Sequence, residues 1–100
     1  MTAKKISDVV ALYRRRLEAE GIPKTRFETG RKFSTASHAE LLAHAHYLLD
    51  GVTKYCEIPG KEGKTGRHLA AAQMCLSFAG WFTLDDLLSH NRADSQEKSV

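Results

Sequence analysis

The sequence is short of cysteine. Two thiols, Cys56 and Cys75, stand in 100 residues, too few for the disulfide framework that holds small secreted domains together. Both fall in apolar helical patterns, where a free thiol behaves as a small hydrophobe, so buried, reduced cysteines are expected. Proline is scarce as well: Pro23 and Pro59 are the only two, and each marks a break between helical patterns. Long apolar runs are missing. None approaches the roughly 18 residues that span a bilayer as a helix. The opening Met1-Thr2-Ala3-Lys4-Lys5-Ile6-Ser7-Asp8 has no apolar signal-peptide core. A cytoplasmic protein with no membrane partner is the expectation.

Catalytic and metal-binding constellations are also missing. Of the five histidines, His44 and His46 stand two apart, so on one helix their side chains diverge by about 200° and cannot hold one ion. His38 falls on an apolar face, which reads as a hydrogen-bonded core histidine. His68 and Cys75 share a face but, seven apart, need ligands from elsewhere. A cysteine in an apolar stripe is raised in pKa rather than activated. Asp85 and Asp86 are adjacent and point apart, the wrong geometry for an acid–base pair. Gly60-Lys61-Glu62-Gly63-Lys64-Thr65 imitates the end of a phosphate-binding loop, but Ile58 stands where that loop needs glycine, and helix rather than strand precedes it. A weaker anion contact at the start of the next helix, aided by Lys64 and Arg67, is physically reasonable. The chain reads as non-enzymatic, with no metal and no cofactor.

What is present is helical periodicity. Ile6, Val10, Tyr13 and Leu17 form one stripe of a helix of about 13 residues, with Ser7 as its N-cap and Gly21-Ile22-Pro23 as its stop. Arg15 points directly away from that stripe, Arg14 lies to one side, and Arg16 can lay its stem along the apolar border. Residues 22–36 show no period and predict an ordered loop or arm pinned to the core by Phe27 and Phe33. Ser37-His38-Ala39-Glu40 is a capping box. It opens a helix whose seam, Leu41, Ala45, Leu48, Val52 and Tyr55, widened by Leu42, Leu49 and Cys56, continues in phase through Gly51 to the Pro59-Gly60 turn. A short connection makes the next helix, from about Thr65 to Gly80, its antiparallel neighbour.

That helix is apolar on two sides: Leu69, Ala72, Cys75, Leu76 and Ala79 on one, Ala71, Met74 and Phe78 on the other. Four helices around one hairpin favour burial of the second strip, since exposed apolar strips are rare on monomers. A last short helix, capped by Thr83 with Asp85 and Asp86 in its positive first turn, turns Leu84, Leu87 and Leu88 inward and ends at His90-Asn91-Arg92. The expected fold is all-α, a small helical bundle with a central antiparallel hairpin. It is one domain: a basic N-terminal helix and arm over 1–36, a helical core over 37–92 and a disordered tail over 93–100.

Charge is uneven. Residues 1–36 hold nine Lys/Arg against four Asp/Glu, which points to an anionic partner on that side unless the excess is only a solvated face. The partner-binding candidates are Arg14, Arg15, Lys24, Arg26, Arg31 and Lys32, with Met74 and Phe78 as the apolar pair. Phe27 and Phe33 interleave with the basic residues of the arm, a pattern suited to phosphate contact with base stacking. Glu18, Glu20 and Glu28 oppose it. The last helix begins Leu-Asp-Asp and repels phosphate at the end that would enter a groove.

Arg67-His68-Leu69-Ala70-Ala71-Ala72-Gln73, Leu76, Gly80-Trp81-Phe82-Thr83-Leu84-Asp85-Asp86-Leu87 and His90-Asn91-Arg92, together with the preceding His-Ala-Glu-Leu-Leu helix, resemble small phage- and prophage-borne helical proteins. The resemblance spans residues 37–92, rests mainly on caps and core, and carries no catalytic residues. It implies a phage-encoded accessory protein in the host cytoplasm that binds a host protein or ribonucleoprotein complex. Several anti-CRISPR proteins share this size, helical character and lack of enzymatic residues, so an inhibitor of a defence system such as CRISPR–Cas is the concrete expectation. The competing expectation is a small nucleic acid-binding regulator using the basic third. A homodimer burying the second apolar strip is the plainest reading.

Overall fold

The computed structural model describes residues 1–92, so the tail expected over 93–100 lies outside the described residues. Four helices run Ala3–Ala19 (α1), His38–Tyr55 (α2), Glu62–Phe78 (α3) and Leu84–Asn91 (α4), with a 3-10 turn at Phe33–Thr35 in the arm. Among the described residues there is no strand. The expected all-α bundle is what forms. The α2–α3 hairpin is its most extensively packed pair, α1 lies on α2, and α4 rests on α1.

The core takes one face from each of the three long helices: Val9, Val10, Tyr13 and Leu17 from α1, Leu41, Leu42, Ala45, Leu49 and Val52 from α2, and Leu69, Ala72, Cys75, Leu76 and Ala79 from α3. Cys75 is buried as expected, while Cys56 is only half-buried.

Local signals explain the boundaries. Thr2, not Ser7, caps α1, its hydroxyl accepting from the Lys5 amide at 3.1 Å. Ala3, Lys4 and Lys5 are good helix formers, and a Lys4–Asp8 pair one turn apart supports the extra turn. The Ser37–Glu40 capping box opens α2, and a second box, Thr83–Asp86, opens α4. α3 begins at Glu62, ahead of the expected Thr65. Glu62 complements the positive end of the helix, and Thr65 is buried one turn in, with its hydroxyl donating to the Lys61 carbonyl at 2.9 Å. The Gly-Lys-Thr segment is thus inside the helix. Lys64 lies over the Tyr55 ring, 4.4 Å from its centroid, rather than at an anion site.

Gly51 stays helical within α2 for a packing reason. A Cβ there would sit 2.5 Å from the Cδ2 atom of His68, so the absence of a side chain lets the His68 ring lie against the α2 backbone. His68 Nδ1 donates to the Lys64 carbonyl at 2.9 Å, which fixes the ring from the other side.

Among the helices, three expectations of burial fail. His38 is exposed at the first turn of α2. Leu84 and Leu88 are 66% and 53% exposed, and only Leu87 of α4 enters the core. Met74 and Phe78 are 46% and 67% exposed. The common cause for the last four is the placement of α4. It packs on α1 instead of closing over α3, so α2 remains the one extensive helix neighbour of α3 and the outer face of α3 stays uncovered.

Candidate binding surfaces

The position of α4 is set by a polar knot that joins three helices. Gln73 of α3 donates to the Tyr13 hydroxyl of α1 at 3.0 Å and to Asn91 Oδ1 at 2.7 Å. Asn91 Nδ2 returns a bond to Gln73 Oε1 at 3.1 Å. Because Tyr13 already accepts from Gln73, its own O–H is free to donate to His90 Nδ1, 2.7 Å away. Every polar atom of the Gln73 amide is used, which is what a side chain only 5% exposed requires. Burial raises the Tyr13 hydroxyl above its ordinary pKa. Phe82 closes the knot, its ring edge-on to His90 at 4.7 Å. Arg16 lies 3.9 Å over the neighbouring Trp81 ring, tying the α3–α4 link to α1.

This arrangement leaves an apolar border. Relative to Asn91, which points to α3, Leu84 and Leu88 lie about 20° and 60° further round α4, away from the buried Leu87. Relative to Gln73, Met74 and Phe78 lie about 100° and 140° further round α3, on the side opposite the core residue Leu76. Each helix therefore carries an exposed apolar pair outside its side of the Gln73–Asn91 contact, Met74 and Phe78 on α3 and Leu84 and Leu88 on α4, all at least 46% exposed. On α3 they continue to Ala71, also exposed.

The second surface is the arm. Thr25 donates its amide to the Ala43 carbonyl at 3.1 Å, anchoring the chain to α2. The Phe27 amide donates to His44 Nδ1 at 3.0 Å, and Phe27 itself is buried. Phe33 does not pin the arm to the core as expected: it is 54% exposed and stacks on Phe27, with centroids 5.2 Å apart and planes 18° from parallel. His44 stands 5.6 Å from Phe33 and stacks on Tyr47 at 5.9 Å. These rings line an open cleft of about 350 Å³, with Arg26 and Glu28 from the arm and His68 from α3 also on its wall. Burial, then the nearby Arg26 charge, hold His44 below its ordinary pKa.

The basic candidates divide into used and unused. Arg14 donates to Asp50 at 2.8 Å and Thr53 at 3.1 Å, and Lys24 reaches the same Asp50 oxygen at 3.1 Å. Arg31 is held by Glu40, donates to the Thr35 carbonyl at 2.8 Å and lies over the Phe27 ring. That guanidinium, with the Ser37 amide, holds the Glu40 carboxyl down at about 2. Arg15, Arg26 and Lys32 are exposed and have no ion pair among the described residues. Half of the basic set is therefore structural.

Sequence reasoning missed the polar knot and the contributions of His44, Tyr47 and His68 to the cleft. Gln73 had one visible signal, a lone polar side chain within an Ala/Leu face. His44 and Tyr47 had another, their spacing of three on one side of α2. No family model, curated protein or solved structure matches the chain. Among the described residues, no group of three potential ligands is placed to hold a metal ion, and no helix is long and apolar enough to cross a membrane.

Proposed function

We propose that this chain is a non-enzymatic protein-binding module that docks a partner through the apolar border of α3 and α4. The observation that carries the reading is the exposure of four apolar side chains, Met74 and Phe78 (67%) one turn apart on α3 and Leu84 and Leu88 one turn apart on α4. Apolar side chains grouped on a helix face are costly to leave in water, and exposed apolar patches mark interaction sites. Aromatic and methionine side chains suit the role, because they supply large contact area with adaptable packing. The resemblance of residues 37–92 to phage-borne helical proteins supplies the setting. In its concrete form the chain is a phage accessory protein that inhibits a host defence complex such as CRISPR–Cas.

The test is plaque formation on a CRISPR-immune host expressing the chain. The wild type is expected to restore plaques, and Met74→Asp with Phe78→Asp to abolish the rescue without lowering the melting temperature. Absence of rescue by the wild type removes the defence-inhibitor form. Sedimentation of the purified chain as a dimer that the double mutant dissociates replaces a foreign partner by a second copy. A regulator gripping duplex nucleic acid with the whole basic third is less well supported, because Arg14, Lys24 and Arg31 are already paired with Asp50 and Glu40.

A further inference from the structure

The arm cleft is remote in purpose from the α3–α4 border and has a chemistry of its own. Phe33 stacks on the buried Phe27, has His44 at 5.6 Å and is still 54% exposed, so the ring is backed from within the arm and presents surface to the cleft. The stack on Phe27 restricts the ring before a ligand arrives, which lowers the ordering cost of stacking. Tyr47, 39% exposed, provides a second ring at the other side of His44.

His44 adds direction. Its Nδ1 accepts the Phe27 amide proton, so the neutral ring must carry its own proton on Nε2. That Nε2–H has no partner among the described residues and is not sealed from solvent. It is a donor waiting for an acceptor at the edge of a planar group. Burial and Arg26 favour this neutral form, since both lower the pKa of the ring. Arg31 is committed to Glu40, which leaves Arg26 on the wall and Lys32 beside Phe33 as the available cations, with Glu28 the opposing acid.

We propose that this cleft binds a nucleotide unit: a nucleobase stacked on the open face of Phe33, a ring acceptor taking the His44 Nε2–H, and a phosphate at Arg26. Each feature selects part of that ligand. Aromatic faces hold any base by stacking, and the arginine holds the phosphate. The histidine donor distinguishes a base from a phosphorylated phenol ring, which has no acceptor on its edge apart from the phosphate. The cleft volume lies at the lower end for small-molecule sites and suits a single unit. That unit can be a free nucleotide or the unpaired end of a strand.

Isothermal titration at low salt with adenosine 5′-monophosphate, and separately with a ten-residue single-stranded adenylate, tests the proposal and separates the two sources. Binding is expected for at least one probe. Phe33→Ala should weaken it about tenfold, the usual size of one lost stack, and Arg26→Glu by a similar factor, while Arg15→Glu, an exposed cation on α1, leaves it unchanged. Comparable affinity for both probes identifies a free nucleotide. Preference for the oligomer with a steep loss in salt identifies a strand end. No binding of either probe at millimolar concentration overturns the proposal, as does equal weakening by Arg15→Glu, which would reduce the effect to general charge. Because Phe33 and Arg26 are exposed, both variants stay folded, and a melting temperature within about 8 °C of the wild type is the folding control. Neither residue belongs to the α3–α4 border, so failure here leaves the protein-docking reading intact.

Discussion

The outer border of α3–α4 and the arm cleft over α2 both expose aromatic side chains, yet they are built in opposite ways. The border is two helix faces that nothing covers. Its residues recur at helical spacing, are apolar and lie outside the core cluster. The cleft comes from a non-periodic segment fastened to α2 by backbone-amide hydrogen bonds, an ion pair and ring contacts with His44. Its exposed members rest on buried ones. The difference predicts how each surface responds to mutation: the border should separate binding from stability, and the cleft should couple them wherever an anchor is touched.

The largest expected effect is therefore at an anchor. Phe27→Ala should cost about 3–5 kcal/mol and loosen the whole arm, seen as a lower melting temperature and lost amide protection over residues 24–36. Its stacking partner shows the contrast. Phe33→Ala should cost less than about 1 kcal/mol, the scale of a single aromatic pair. Equal costs for the two would break the distinction between anchor and platform.

Next in size is Gly51→Ala. The added Cβ meets the His68 ring at 2.5 Å, and that ring is held by its bond to Lys64. The ring has to turn or α2 and α3 must part, so a loss of about 1–3 kcal/mol is expected, although alanine is the better helix former by about 1 kcal/mol. A stabilised Gly51→Ala protein would show that His68 moves freely. On the border, Phe78→Ala and Met74→Ala should change stability by no more than about 0.5 kcal/mol.

The smallest effect is on pH. Glu40 is held at about 2 against an ordinary value of 4.5. A depressed carboxyl contributes stability that is complete above its unfolded value and is lost as pH falls through the folded one. The Arg31–Glu40 latch should thus weaken between pH 4.5 and 2. Because the pair is half-buried at the surface, where solvent screens it, the readout is local: faster amide exchange at residues 31–36 before global unfolding, absent in Glu40→Gln.

Much of the fold was legible because helix caps and apolar periods are local signals. The Ser37 box, the Thr83 cap, the continuity of α2 through Gly51 and the inner face of α3 all follow from residues within two turns of each other. The failures share a non-local cause. Met74, Phe78, Leu84 and Leu88 carry helical spacing that says they are apolar on one side, but not which neighbour covers that side. The answer depends on the Tyr13–Gln73–Asn91–His90 knot, whose members are up to 77 positions apart. The cleft was half legible. Phe27, Phe33, Arg26 and Arg31 stand out by composition, whereas His44 and His68 read along the chain only as candidate metal ligands. The ion pairs that spend Arg14, Lys24 and Arg31 leave no pattern along the chain.

The central claim is that the second apolar strip of α3 is surface and not core, and thermal unfolding of Phe78→Ala tests it most directly. In a domain of this size about 1 kcal/mol shifts the melting temperature by 4–8 °C. The account predicts a shift within about 4 °C. A fall of about 10 °C or more, the mark of a buried phenylalanine losing its packing, would contradict it.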